Sequence, residues 1–108
     1  GEPSAEIRKR VIRAREIQAE RFSGQKGIHC NAQMSERMIH QYAEPDEAGI
    51  SMLRMAMERL SLSARAYNRI LKVARTIADL EGCEHVESHH LAEAIGYRTL
   101  DRGDWAER

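Results

Sequence analysis

The sequence predicts an all-α fold, a compact bundle of four to five helices, and three observations carry that expectation. Apolar side chains recur at spacings of three and four along most of the chain, the period of one helix face. Ser4, Ser35, Asp46, Ser63 and Ser88 stand at the heads of the periodic segments, where a side-chain oxygen can cap a helix. There are only 2 prolines and no long β-branched run, so no strand candidate emerges.

The first helix is expected from Ser4 to about Phe22, with Ile7, Val11, Ala14, Gln18 and Phe22 on its inner side and Ile17 and Arg21 flanking. Residues 23–33, SGQKGIHCNAQ, hold two glycines and mixed polar side chains, and read as a mobile loop. Ser35 caps a short helix to about Ala43 that buries Met38, Ile39 and Tyr42. Pro45 stops it, because the residue before a proline avoids helical angles. Asp46 caps a third helix to Leu60, whose inner face is Ile50, Leu53, Met57 and Leu60 beside Ala56. The fourth runs from Ala64 to about Glu81 and is the most regular. Tyr67, Ile70, Leu71, Ala74, Ile77 and Ala78 face inward, and Gly82 ends it where a left-handed residue is expected. Ser88 caps the last helix, which buries Leu91, Ala94 and Ile95, and residues 99–108, TLDRGDWAER, read as a frayed tail.

A length of 108 residues suits a single domain, 1–108, and 42% hydrophobic residues supply a modest, mainly aliphatic core. Lys plus Arg and Asp plus Glu both number 17, so a purely electrostatic DNA-coating role is not indicated. No apolar stretch approaches membrane-spanning length, and GEPSAEIRKR has no signal-peptide core, which points to a cytoplasmic protein without a membrane partner. The abrupt start at a helix suggests a piece of a longer protein. Cys30 and Cys83 show no framework spacing, and free thiols are expected.

Four groups could carry chemistry. Arg65 lies one residue inside the fourth helix, opposite Tyr67, Ile70 and Ala74, where unpaired N–H groups and the positive dipole end suit an anion. Capped helices with an early surface arginine are nevertheless common. Arg65, Arg69 and Lys72 form a basic stripe with Arg75 at its margin; Asp79 lies four residues beyond Arg75, and the stripe also fits a solvated face. Cys83, His85, His89 and His90 could gather around zinc, with His29 and Cys30 elsewhere. Adjacent His89 and His90 are expected to diverge on a helix and no second Cys pair completes a finger, so no metal site is assigned. Among Met34, Met38, Met52, Met55 and Met57, packing accounts for Met38 and Met57. Met52 and Met55 point away from the inner face and are candidates for an interface.

The stretch LSLSARAYNRILKVARTIADLEG, Leu60 to Gly82, closely resembles the signature of the C-terminal lid domain of magnesium-chelatase-like AAA+ ATPases of the ComM/YifB family. Arg10-Val11 through Gln18 with Arg21-Phe22, the Asn31-Ala32 dipeptide and HLAEAIGYR at residues 90–98 resemble other parts of the same lid. The resemblance covers most of residues 8–102 and implies an AAA+ lid type of bundle. It places Arg65 at the sensor 2 position, facing ATP phosphates, while Met52, Met55, Arg69 and Lys72 are interface candidates from their helix positions alone. It implies a parent ATPase using ATP and Mg²⁺, an AAA+ core domain in the same chain and neighbouring subunits of a hexamer. Members are associated with DNA branch migration in natural transformation, so DNA is a partner of the parent on this reading. The alternative within the family is the ATPase subunit of magnesium chelatase. Alternatives of other classes are a stand-alone helical interaction module working through Met52 and Met55, and a small basic-helix DNA binder. The chain holds neither G-x-x-x-x-G-K-[ST] nor a strand ending in acidic residues, so it is expected to carry no cofactor and to have no ATPase activity by itself.

Overall fold

The computed structural model describes the backbone of residues 4–106 and the side chains of residues 4–97. Five α-helices follow one another: α1 Ser4–Arg21, α2 Glu36–Tyr42, α3 Glu47–Leu60, α4 Ala64–Glu81 and α5 Ser88–Ala106, with a 3-10 turn at Asn31–Gln33. No strand occurs among the described residues. The expected cap at Ser4 falls at the edge of the described residues, where Ser4 is already helical. Within the expected tail, 99–108, the helix continues through Ala106; its side chains and residues 107–108 lie outside the described residues.

Capping sets the helix starts as the sequence indicates. Ser35 accepts from Met38 N–H, Asp46 Oδ1 from Gly49 N–H at 2.8 Å, and Ser63 Oγ from Ala66 N–H at 3.2 Å. At α5 the arrangement differs. Ser88 is already helical, Glu87 O accepts from His90 and Leu91 N–H, and His90 Nδ1 accepts from Glu87 N–H at 2.9 Å. His90 thus does what Glu or Gln does in a capping box, a role no sequence pattern for histidine advertises.

The ends of α3 and α4 share one geometry. Gly82 takes φ +75°, its N–H bonds to Asp79 O, and Cys83 N–H reaches Ala78 O at 2.8 Å, the paired bonds of a Schellman motif. After α3 the left-handed residue is Ser61, at φ 51°, with Leu62 N–H on Met57 O. That strained turn delivers Leu62 and Ser63 to the start of α4.

α4 is the hub: it packs against α1, α2, α5 and the 3-10 turn, while α3 packs on α5. The core unites Phe22, Met34, Ile39, Ala43, Leu53, Ile70, Leu71, Ala74, Ala78, Val86, Leu91 and Ala94. Gly49 lets α3 approach α5: a Cβ there would lie 2.8 Å from both Leu91 Cδ1 and Pro45 Cβ. Ile7, expected inside, is exposed, because the first turns of α1 reach past the main core.

Candidate functional site

Ser63 and the Ser61 turn fix where α4 begins, and hence where Arg65 stands. Arg65 is exposed in the first turn, while Ala66, Ile70 and Ala74 carry the buried face. Ser63 satisfies Ala66 N–H; the N–H groups of Ala64 and Arg65 have no intrahelical acceptor. Along the same side, Arg65, Arg69, Lys72, Val73, Thr76 and Ile77 line a single open groove, closed at one edge by Ala32. The expected stripe is therefore one surface with an apolar strip, Val73 and Ile77, beside its cations.

Lys72 is tied to the groove's edge, its Nζ donating to Ala32 O at 3.1 Å. The edge is held from behind by a buried polar network. Asn31, 1% exposed, donates from Nδ2 to Asp79 Oδ2 at 2.8 Å and to Thr76 Oγ1 at 3.1 Å, while its N–H bonds to Gln18 Oε1 at 2.9 Å. Thr76 in turn donates to Lys72 O at 3.1 Å. Arg21 grips Asp79 with two bonds of 2.8 Å, donates to Asn31 Oδ1 at 2.9 Å, and lies over the rings of Phe22 and Tyr42. The segment 23–33, expected as one loop, thus divides: its end is anchored in the core, and Gly24 and Gly27 hold left-handed turns in its first half.

Arg75 corrects the sequence expectation. It is not at the margin of a solvated stripe but 3% exposed, behind the groove. Its guanidinium pairs with Asp79 at 3.1 Å and donates to the carbonyls of Tyr42, Cys83 and Glu84. Its Nε is buried without a hydrogen-bond partner among the described residues. Burial lowers the Arg75 pKa, against which Asp79 acts. Arg75 therefore clamps the end of α2 and the turn after α4, and does not face solvent.

Met52 and Met55 lie at a second groove with Ala56, Leu60, Ala92 and Ile95, between α3 and α5. Met55 is 60% exposed.

At the α4–α5 corner the sequence reading missed Glu81. The expectation that His89 and His90 diverge is overturned: their ring centroids are 3.9 Å apart, and each Nε2 lies 3.0 Å from Glu81 Oε1. Both sit in the first turn of α5, facing the C-terminus of α4, so one carboxylate reaches the two. Since His90 Nδ1 accepts from Glu87 N–H, its proton is on Nε2, where it donates to Glu81. The hydrogen bonds to His89 and His90 lower the Glu81 pKa, and the bond to Glu81 raises that of His89. Cys83 Sγ lies 3.8 Å from the same oxygen. Its thiol pKa is raised by desolvation first, then by Glu81 and Glu87. His85, the remaining member of the sequence cluster, is exposed and outside this group. Cys30 and Cys83 are free, half-buried thiols.

Comparison with known proteins makes this helical bundle a magnesium-chelatase type of C-terminal domain. The chain belongs to that family: the family described as magnesium chelatase, subunit ChlI C-terminal, matches residues 1–98. Over 102 residues the chain is 44% identical to the competence protein ComM of Haemophilus influenzae, covering 94% of this chain. Over the same length it is 43% identical to the YifB protein of Salmonella typhimurium. It is 35% identical to a Mycobacterium bovis protein over 91% of its length. The chain spans 19% of the length of each of these relatives. No helix among the described residues is long and apolar enough to cross a membrane.

Proposed function

We propose that this domain is the lid of a magnesium-chelatase-like ATPase, closing over ATP held by the core of the parent protein and coupling hydrolysis to movement between subunits. The observation that carries this reading is the exposed Arg65 at a capped helix start, in a groove with two further cations. A guanidinium there offsets charge on a transferring phosphoryl group. The backbone N–H groups of the same turn add a positive dipole end. Lys72 and the Asn31 network hold the groove edge at Ala32 in register with that turn, and the Met52–Met55 groove is an interface with the core or a neighbouring subunit.

ComM of Haemophilus influenzae is named a competence protein. That name supports a parent acting in natural transformation, and our reading of that parent is a cytoplasmic, hexameric DNA motor. The family's description favours the alternative, the ATPase subunit of magnesium chelatase. Stimulation of parent turnover by branched DNA supports the first; stimulation by a porphyrin substrate with its partner subunits supports the second.

The test of the lid itself is Arg65→Ala in both contexts. In the 108-residue chain the expected change in stability is within about 0.5 kcal/mol, as for most surface substitutions. In the parent, ATP turnover is expected to fall strongly, though by less than the ~10³ of the strongest arginine roles, because sensor 2 governs closure as well as chemistry. Normal turnover in the parent would reject the role.

A further inference from the structure

We propose that the cleft between the first half of α1, the end of α4 and the middle of α5 is a docking site for the parent chain's own segment just ahead of this domain, which seats apolar side chains there. This rests on the reading that the domain is part of a magnesium-chelatase-like parent, and not on the role of Arg65.

Helical periodicity gives α1 one inner stripe, Ile7, Val11, Ala14, Gln18 and Phe22. The domain buries only its second half. Ala14, Gln18 and Phe22 are in the interior, whereas Ile7 is 44% exposed and Val11 is half-buried. Ile7 and Val11 line an open cleft together with the half-buried Ile77 and Leu80 of α4 and with Tyr97 of α5, which is 57% exposed. Three helices thus bring five large apolar side chains to one concave face. Contiguous exposure of that kind marks an interface, whereas single exposed apolar residues are ordinary. Arg10 and Arg13 against Glu81 and Glu93 balance the charge of the lining, which suits a mainly apolar protein segment and not a polyanion.

The occupant follows from where the rest of the parent lies. The chain spans 19% of the length of its relatives, and the matching family is described as C-terminal, so most of such a parent runs ahead of α1. Ile7 stands three residues after Ser4, about 5 Å along the axis of α1. Chain arriving at Ser4 therefore passes beside the cleft. A segment tethered there meets it at an effective concentration on the order of mM, above that of a free partner or a second copy in dilute solution. Docking continues the α1 stripe into the parent and fixes the angle at which α1 leaves the preceding domain. Because α1 packs on α4, that angle sets the position of the whole domain, Arg65 included.

The experiment is amide hydrogen exchange on the parent and on the 108-residue chain, both without nucleotide. Residues 8–13 are expected to exchange at least about tenfold more slowly in the parent. Ile7→Ser combined with Tyr97→Ser should leave the thermal midpoint of the 108-residue chain close to its starting value, since both side chains are exposed. In the parent the same pair should return residues 8–13 to the exchange rate of the 108-residue chain. Equal rates in the two unsubstituted proteins, a comparison that needs no variant, overturn the docking site, as does protection that survives the double substitution. Protection that disappears when the parent is diluted to monomers assigns the cleft to a neighbouring subunit and overturns the preceding segment as its occupant. Loss of ATP turnover in the parent's Arg65→Ala variant, with no difference in exchange, would leave the lid reading standing and sink the docking alone.

Discussion

At the scale of single residues, Asp79 carries more of the fold than its ordinary helical position suggests. Its side chain is fully buried, accepts from Arg21 and Asn31 and is ion-paired with Arg75, so one carboxylate joins α1, the Asn-Ala turn and α4. Exposed pairs such as Lys9–Glu6 contribute about 0–1 kcal/mol. Removing one partner of a buried pair typically costs about 3–5 kcal/mol, because it strands the other charge. Asp79→Ala is therefore expected to lose about 3–5 kcal/mol in denaturant unfolding, whereas Glu6→Ala changes it little. A loss under about 1 kcal/mol for Asp79→Ala would show that the network is not the tie described here. The corner histidine gives a second expectation. His89 should titrate above the ordinary 6.5, and Glu81→Gln should bring it back toward that value in an NMR titration. The sign follows from each shift. The His89 contribution is fully present below 6.5 and is lost as pH rises through its raised value. The Glu81 contribution is present above the ordinary 4.5 and is lost as pH falls through its lowered value. The stability each draws from the pair is thus fullest between pH 4.5 and 6.5.

At the scale of elements, the joints decide where the groove lies. The α3–α4 joint rests on Ser61 in the left-handed region, a conformation costing about 1–2 kcal/mol for a residue with a Cβ. Glycine removes that strain but gives back about 0.5–1 kcal/mol in chain entropy. Ser61→Gly is therefore expected to stabilise by about 0.5 kcal/mol and raise the thermal midpoint by about 2–4 °C. A lowered midpoint would mean that the serine side chain contributes something beyond the turn. The α4–α5 joint uses Gly82 for the same geometry without strain, and there the capping work passes to His90.

At the scale of the whole molecule, α4 is the shared spine, with one side buried, one carrying Arg65, Arg69 and Lys72, and its end closed by the Glu81 corner. The anchoring of Asn31 has a dynamic consequence. Residues 23–27 bury little and are expected to show low backbone order parameters on the nanosecond scale. Asn31–Gln33 should match the helices. Equal order across 23–33 would contradict that division.

The sequence by itself determined the helices and the address of Arg65, because caps and helical periodicity act within three or four residues. Ser35, Asp46, Ser63 and Gly82 could all be read one turn at a time, and so could the outward side of Arg65. Only the tertiary structure decided the fate of Arg21, Arg75, Asp79 and Glu81. Arg21 and Asp79 are 58 residues apart, and Asn31 and Asp79 are 48 apart. In the sequence, Arg75 and Asp79 look like an ordinary surface pair. They are buried because the end of α2 and the turn after α4 fold over them, and Arg75 satisfies the carbonyls those segments bring. Glu81 meets His89 and His90 because the turn of residues 82–87 folds the start of α5 back onto the end of α4. Which polar groups meet across helices depends on packing register, and a one-dimensional pattern of apolar residues does not carry that register.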